Sequence, residues 1–225
     1  MQEHIASLIS KIARDRTRGA AELAVLAAEA LSLASPGELH EAAAAVKSAQ
    51  PAMASVYNAA EAALAGELDR FLARLRTSAD VIARRAAPLL HGRTVLTHSY
   101  SSTIVRALEN AGAAHVFCTE SQPGGEGRTT AARAGGEVIP DMAAYAALAH
   151  VDVVVVGADA VTPDAVVNKI GTALIALAAR ERRVPAYVLC GSEKYVPAEW
   201  KPDLGELFER TPRDWFAGVI DDVEG

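Results

Sequence analysis

The chain has 225 residues, of which 51% are hydrophobic and 22% charged, and its formal net charge at pH 7 is −6. This length and balance predict a soluble globular protein with one large domain, or with one domain and a smaller appendage. The acidic excess argues against nucleic acid as a direct partner, because nucleic-acid binding normally needs a basic face.

The cysteines and the N-terminal residues indicate in which cellular compartment the protein is expected. Cys118 and Cys190 belong to no CxxC motif or Cys/His cluster, which predicts a reduced, cytoplasmic setting and no metal site. The first 19 residues mix charged side chains into their apolar pattern, unlike a signal peptide. No apolar run approaches the ~18 residues of a membrane-spanning helix. We expect no cofactor, because the GxGxxG and GxxxxGK(S/T) fingerprints are both missing.

The first ninety residues carry apolar side chains at the three-to-four-residue spacing of amphipathic helices. The pattern predicts two helices within residues 1–35 that are interrupted at residues 16–19, a third over 37–49, and two more within 52–87. Gln50-Pro51 ends the third helix, because proline cannot continue one. An all-helical N-terminal subdomain over residues 1–90 follows.

The pattern changes at residue 91. Short apolar runs, each followed by a helical pattern, predict βαβ units and therefore a parallel sheet with right-handed crossovers. The predicted strands span residues 95–98, 115–120, 136–141, 151–156 and 185–189, and the last helix spans 172–183. The predicted fold class is α/β: a Rossmann-like, mostly parallel C-terminal domain over residues 91–225 beside the helical subdomain.

Polar side chains follow four of the predicted strands, at residues 98–102, residues 120–122, Asp141 and Asp159. Because the carboxyl ends of parallel strands share one edge, these side chains could converge on one pocket. Asp159 follows a strand of five valines within six residues, which is typical of a central strand. It is therefore the acid/base candidate.

Several further residues have a functional and a structural interpretation. Ser101 and Ser102 could hold a phosphate or cap a helix, and Asp141 could cap the helix that follows it. Glu120 and Arg128 flank a glycine-rich loop that could equally be a solvated turn. Arg18 could reach a phosphate or be a free surface charge. Asn168 and Lys169 lead through a Gly-Thr pair into a helix whose first N–H groups suit phosphate, or only into a capped helix.

Five motifs in order carry a family resemblance: THSYSS, FCTESQPGGEGR, VVGADAV with VVNKIGT, SEKYVP and FERTP. They resemble the translation initiation factor 2B alpha/beta/delta family, which includes methylthioribose-1-phosphate isomerase and ribose-1,5-bisphosphate isomerase. Arg18-Gly19-Ala20 resembles the RGA element of that family. The resemblance implies the α/β fold, a pocket for a phosphorylated small molecule, and a homodimer or higher homo-oligomer.

The resemblance also implies roles for single residues. Asp159 matches an aspartate that acts with a cysteine as acid and base, and Ser99 stands at the position of that cysteine. A serine hydroxyl is far harder to ionise than a thiol. The ligand-binding positions implied are Arg18, Gly19, Ala20, Ser101, Ser102, Glu120, Arg128, Asn168 and Lys169. Two functions follow: an isomerase-like phosphosugar protein, or a non-catalytic protein resembling the factor's alpha subunit.

Overall fold

The computed structural model describes residues 2–15 and 17–223. The first part of the chain forms five helices, as predicted: α1 (Glu3–Arg14), α2 (Ala20–Ser32), α3 (Leu39–Ala49), α4 (Ala54–Leu64) and α5 (Leu68–Leu90). The predicted break between α1 and α2 is confirmed at residues 17–19, and Arg16 lies outside the described residues. No described helix is both long and apolar enough to cross a membrane.

Strands and helices alternate in the remainder of the described chain. In order they are β1 (Thr94–His98), α6 (Ser102–Ala111), β2 (His115–Thr119), α7 (Gly127–Ala134), β3 (Glu137–Ile139), α8 (Ala144–Ala147), β4 (Val153–Val156), β5 (Ala160–Val161), β6 (Ala165–Lys169), α9 (Thr172–Arg182), β7 (Ala186–Leu189), β8 (Phe208–Pro212) and β9 (Gly218–Ile220). Six strands form a parallel sheet in the order β3-β2-β1-β4-β7-β9. The predicted α/β class is confirmed.

The centre of the parallel sheet is β4, whose four valines are all buried. Val153 pairs with Val95 of β1 on one side, and Val154 pairs with Ala186 of β7 on the other. A strand that is covered on both faces has no polar side, which is why it appears in the sequence as a continuous valine run. The strand order reverses beside β4, because β1, β2 and β3 lie on one side and later strands on the other.

A second, antiparallel sheet of β5, β6 and β8 was not predicted from the sequence. Asn168 and Lys169 were expected to lead directly into a helix, but they end β6 and pair with Glu209 and Phe208 of β8. The pairing of β6 with β8 joins residues about forty positions apart, and a local sequence pattern cannot show such a contact. Strand β5 has only two residues, which is too short for an alternating pattern to be recognised.

Helix α5 belongs to two cores at once. Its first half contributes Phe71 and Leu75 to the core of α1–α4, and its second half contributes Ile82 and Leu90 to the core between the helices and the parallel sheet. The side-chain amide of Asn58 in α4 also donates to the backbone carbonyls of Glu193 and Tyr195, at 2.7 and 3.0 Å. The helical part is therefore joined to the sheet by packing and by hydrogen bonds.

Candidate functional site

A cavity of about 290 Å³ lies where the helical part meets the carboxyl ends of β1 and β4. Its walls include Ser99 after β1, Asp159 after β4 and Lys169 at the end of β6. The segments 15–19, 50–53 and 203–208 line it as well. In a doubly wound sheet, the crevice where the strand order reverses is the usual place for a ligand.

Ser99 has a left-handed backbone conformation, with φ of 65°. Such a conformation is uncommon for a residue with a side chain and needs support from its surroundings. The backbone N–H of Ser99 donates to the Ser121 hydroxyl at 2.7 Å, and its carbonyl accepts from the Thr130 hydroxyl at 2.8 Å. These two bonds hold the turn so that Ser99 faces the cavity.

His98 connects this turn to the loop after β6. Its ring is buried, with Nε2 at 2.8 Å from the carbonyl oxygen of Ile170 and Nδ1 at 2.6 Å from the Thr119 hydroxyl. A carbonyl can only accept, so Nε2 carries the proton and Nδ1 accepts from Thr119. Burial is the main cause that lowers the pKa of His98, and the hydrogen bond to Ile170 opposes it. His98 thus positions the backbone on both sides of the cavity.

Asp159 contributes a half-buried carboxyl group to the cavity wall. Its backbone is fixed, because its N–H donates to Val167 at 2.8 Å and its carbonyl accepts from Ala54 of α4 at 2.9 Å. Burial raises its pKa to about 6, against the opposing charges of Lys194 and Lys169. A carboxyl group with this pKa can both give and take a proton near neutral pH.

Lys169 and Glu126 form an ion pair in the wall of the same cavity. The Lys169 side chain is only 6% exposed, and its Nζ lies 2.8 Å from Oε1 of Glu126. The other carboxylate oxygen, Oε2, is buried and has no hydrogen-bond partner in the described structure. Glu126 was not among the residues chosen from the sequence, although it stands in the glycine-rich loop that was noted there.

Arg18 and Gly19 line the cavity from the start of α2. The guanidinium group of Arg18 is ion-paired with Asp15. Burial alone would raise the pKa of Asp15, but hydrogen bonds from the amides of Arg18 and Thr17 and from their side chains lower it to about 2. Gly19 lies beside the ring of Tyr100, which lines the cavity as well.

Other predicted site residues lie outside the cavity wall. Ser101 caps α6 by accepting from the N–H of Ile104 at 3.4 Å, and Ser102 is the first residue of that helix. Ala20 is buried, and its carbonyl accepts from the Ser55 hydroxyl.

The remaining predicted residues also bind within the protein. Asn168 donates to the Thr172 hydroxyl at 2.9 Å. Glu120 and Arg128 form an ion pair with each other at the surface. Asp141 neither lines the cavity nor caps its own helix, the two interpretations that the sequence left open, but accepts from the N–H groups of Ser121 and Gln122 at 2.7 and 2.8 Å. It therefore shapes the loop after β2.

Of the two interpretations of the start of α9, a phosphate site or a capped helix, the structure shows the capped helix. The N–H groups of Gly171 and Ala173 both donate to Oε1 of Glu209, each at 2.8 Å. The carboxylate that satisfies this helix terminus belongs to the chain itself. Sequence spacing could not show this, because Glu209 reaches α9 only through the pairing of β8 with β6.

Several cavity residues were not chosen as site residues from the sequence. Gln50 had been noted only for the helix break, and its amide donates to the carbonyls of Ile12 at 2.8 Å and Asp15 at 3.1 Å. Met53, Leu204 and Phe208 give part of the wall an apolar surface. Among the described residues, no group of three or more His, Cys, Asp or Glu side chains is arranged to hold a metal ion.

Comparison with known proteins gives three kinds of match. The sequence model of the Initiation factor 2 subunit family matches residues 3–214. A putative translation initiation factor eIF-2B subunit 2-like protein of Pyrococcus horikoshii is 30% identical over 268 aligned positions, which cover 99% of this chain and 96% of that protein. Ribose 1,5-bisphosphate isomerase of Archaeoglobus fulgidus is 42% identical over 133 residues, which cover 55% of this chain. The match spans only 42% of that isomerase's length.

Solved structures agree with the sequence matches. Translation initiation factor eIF-2B of Pyrococcus horikoshii superimposes with a TM-score of 0.87 at 28% identity, and the match covers 98% of this chain and 96% of that one. The 5-methylthioribose 1-phosphate isomerase of the same organism gives a TM-score of 0.67 at 18% identity and covers 96% and 82%, which shows a shared fold.

Proposed function

Since the chain belongs to the initiation factor 2 subunit family, we propose that it binds a phosphorylated sugar in the cavity and isomerises it from aldose to ketose. Asp159 is the proton-transferring group in this proposal. The observation that carries it is a carboxyl group of pKa about 6 in the same cavity wall as two cations, Arg18 and Lys169. Relatives named ribose 1,5-bisphosphate isomerase support the choice of ligand class.

The reaction needs only proton transfers and the shift of one hydride within the substrate. In going from a cyclic aldose 1-phosphate to the open ketose, the bond between C1 and the ring oxygen breaks. The ring oxygen gains a proton, and the hydroxyl on C2 loses one and becomes the carbonyl. The C2 hydrogen moves to C1 with its bonding electrons, so no external oxidant or reductant is needed. Such a reaction calls for an acid at the ring oxygen and a base at the C2 hydroxyl.

Asp159 is suited to be the acid at the ring oxygen. Its neutral form is substantially populated near pH 6, and it can protonate a ring oxygen placed against it. Arg18 offers the planar, bidentate geometry that suits a phosphate, although the phosphate must compete with Asp15 for it. Ser99 can donate a hydrogen bond to the sugar, but its hydroxyl is a poor substitute for the thiol of the isomerases.

A proton NMR time course with aldose 1-phosphates, including ribose 1,5-bisphosphate and methylthioribose 1-phosphate, tests this function. We expect ketose signals with the wild-type protein and about 10²–10⁴-fold slower formation with Asp159→Asn. Asp164→Asn, which changes an exposed aspartate in the turn between β5 and β6, is the control and should keep the wild-type rate. Equal rates for wild type and Asp159→Asn would refute the role of Asp159.

A second candidate function is a non-catalytic subunit that binds a sugar phosphate or a nucleoside monophosphate. The serine at position 99 favours it, and so does the near full-length match to the eIF-2B subunit 2-like protein. This function predicts saturable binding without chemical change. Isothermal titration calorimetry with the same sugar phosphates and with nucleoside monophosphates, followed by NMR of the recovered ligand, separates the two functions.

We further propose that the protein is a homodimer or a higher homo-oligomer. A complex of related subunits, the tetrameric eIF2B-beta2-delta2 complex of C. thermophilum, is known for proteins of this fold. Helix α9 presents Leu174 and Leu177 to solvent one turn apart, and exposed Ile170 lies just before the helix. Exposed apolar side chains grouped on one helix face are typical of protein contacts.

A further inference from the structure

We propose that Glu126 is the second proton-transferring group of this cavity, acting as the base at the C2 hydroxyl while Asp159 acts as the acid at the ring oxygen. The inference rests on the proposed function and deepens it. It supplies the group that Ser99 cannot provide, since an isomerase site needs a base as well as an acid.

Glu126 has the position and the free acceptor that a base needs. It lines the same cavity as Asp159 and Ser99. Lys169 fixes one carboxylate oxygen at 2.8 Å, while the other is buried without a hydrogen-bond partner. A buried acceptor without a donor costs free energy and therefore needs a reason. The Glu126 side chain is 23% exposed, so a small rotation toward the cavity would let a ligand hydroxyl reach Oε2 and satisfy it, and that is the hydroxyl from which a proton must be taken.

The glycine-rich loop is shaped to deliver this side chain. A Cβ on Gly127 would lie 1.7 Å from the carbonyl oxygen of Thr119, so only glycine lets the loop fold back onto the end of β2. A Cβ on Gly124 would lie 2.3 Å from Oε1 of Glu126, so glycine leaves room for the carboxylate there as well. The turn thus places Glu126 beside Lys169 of β6.

The two carboxyl groups lie in different surroundings, which divides their roles. Burial favours the neutral form of Asp159 and outweighs the charges of Lys194 and Lys169, while Glu126 has its charge compensated by direct contact with the Lys169 ammonium group. The negative charge of Glu126 is itself one of the influences that raise the pKa of Asp159. When two carboxyl groups in one site have contrasting surroundings, the one whose neutral form is favoured serves as the acid and the other as the base.

Asp159 and Glu126 together account for both proton transfers of the reaction. The Asp159 carboxyl gives its proton to the ring oxygen as the bond to C1 breaks. The C2 hydrogen shifts to C1 with its electron pair, and Glu126 takes the proton of the C2 hydroxyl as the carbonyl forms. After product release, water returns a proton to Asp159 and accepts one from Glu126, so the protein ends as it began.

Steady-state kinetics of three variants test the assignment. Glu126→Gln keeps the size of the side chain and an oxygen that can accept from Lys169, but it cannot take a proton. We expect its kcat to fall by about 10²–10⁴-fold with little change in KM. Glu199→Gln, which changes an exposed glutamate outside the cavity in the loop after β7, is the matched control and should keep the wild-type kcat. Added formate should partly restore Glu126→Ala, which a purely structural role would not allow.

Each outcome decides the proposal. Conversion by the wild type, with the loss in Glu126→Gln and rescue of Glu126→Ala, supports it. Equal turnover of wild type and Glu126→Gln overturns the role of Glu126 and leaves the isomerase function standing. Binding by the wild type without conversion overturns the acid–base pair in favour of the non-catalytic function. If calorimetry finds no binding of any of the sugar phosphates, the proposed function fails and this inference with it. Thermal melts of the variants confirm that they are folded.

Discussion

The carboxyl group of Asp159 lies where its charged form is disfavoured. Burial outweighs the nearby lysines and brings its folded-state pKa to about 6, against 3.8 for an unperturbed aspartate. Between these values the folded protein binds more protons than the unfolded chain. The stability of the fold therefore decreases as the pH rises from about 4 to about 6, and it stays reduced above that. A carboxyl group that burial forces toward its neutral form in this way lowers the free energy of unfolding at neutral pH, a cost that is common at functional sites.

Asp159→Asn should accordingly stabilise the protein at neutral pH. At pH 7.5 we expect a gain in the free energy of unfolding of up to about 3 kcal/mol, because one pKa unit corresponds to about 1.4 kcal/mol. At pH 4 the gain should nearly vanish. Urea denaturation of both proteins at the two pH values measures it. Asp164→Asn is the matched control of opposite sign, because the hydrogen bond from Thr162 lowers the pKa of Asp164 and stabilises the fold at neutral pH. A loss of stability in Asp159→Asn at pH 7.5 would contradict the argument.

Among the elements, α9 shows how a long-range contact completes a local structure. Its first turn is satisfied by Glu209 of β8, which accepts from Gly171 and Ala173. Gly171 has φ of 104°, and a Cβ there would lie 3.0 Å from the His98 ring. The turn between β6 and α9 therefore depends on a glycine, on a carboxylate from another strand, and on a histidine from β1.

Replacing Glu209 by alanine should weaken this turn. Two backbone N–H groups would lose their acceptor and the helix dipole its compensating charge, so we expect a loss of about 1–2 kcal/mol in the free energy of unfolding. Urea denaturation at pH 7.5 measures the loss. Glu199→Ala, at an exposed position in the loop after β7, should change stability by less than about 0.5 kcal/mol. Equal losses in the two variants would show that the cap contributes nothing.

The elements that could be predicted are those whose pattern is local. The helices of the first ninety residues and the valine strand β4 show their periods directly in the sequence. The β6–β8 pairing could not be seen, because β8 contains Glu209, Arg210 and Pro212 and shows no strand period.

The same limit applies to the site. Asp159 was predictable because it follows a strand at the sheet edge where ligands bind, and the structure brings it together with Ser99 and Arg18. Glu126 was not, because its position depends on a loop that folds back over β2 and on a lysine from another sheet. Local patterns do not contain such contacts.

At the scale of the whole molecule, the cavity lies at the seam between the helical part and the sheet. Helix α5 packs in both cores, and Ala54 at the start of α4 donates to the carbonyl of Asp159. Arg18 and Gly19 come from the helical part, whereas Lys169 ends β6 of the antiparallel sheet and Glu126 lies in the loop before α7. A ligand in the cavity would contact both parts, so each part needs the other to complete the site.

The exposed apolar side chains of α8 and α9 bear on assembly. Leu174 is 62% exposed on α9, and Met142, just before α8, is 87% exposed. The guanidinium carbon of Arg182 in α9 lies 4.2 Å from the ring centroid of Tyr145 in α8, so side chains of the two helices meet at the surface. We expect sedimentation equilibrium to give the mass of a dimer or a larger species for the wild type, because burying this surface against a second copy removes it from water.

Leu174→Glu places a charge in the middle of that surface and should shift the protein to monomer at micromolar concentration. Leu33→Glu is the matched control, because Leu33 is similarly exposed, at 45%, but follows α2 in the helical part. It should keep the wild-type mass. Dissociation by both variants would point to general destabilisation, and dissociation by Leu33→Glu alone would move the contact to the helical part. A monomeric wild type would contradict self-association and leave the apolar face of α9 available to a different subunit, as the non-catalytic function requires.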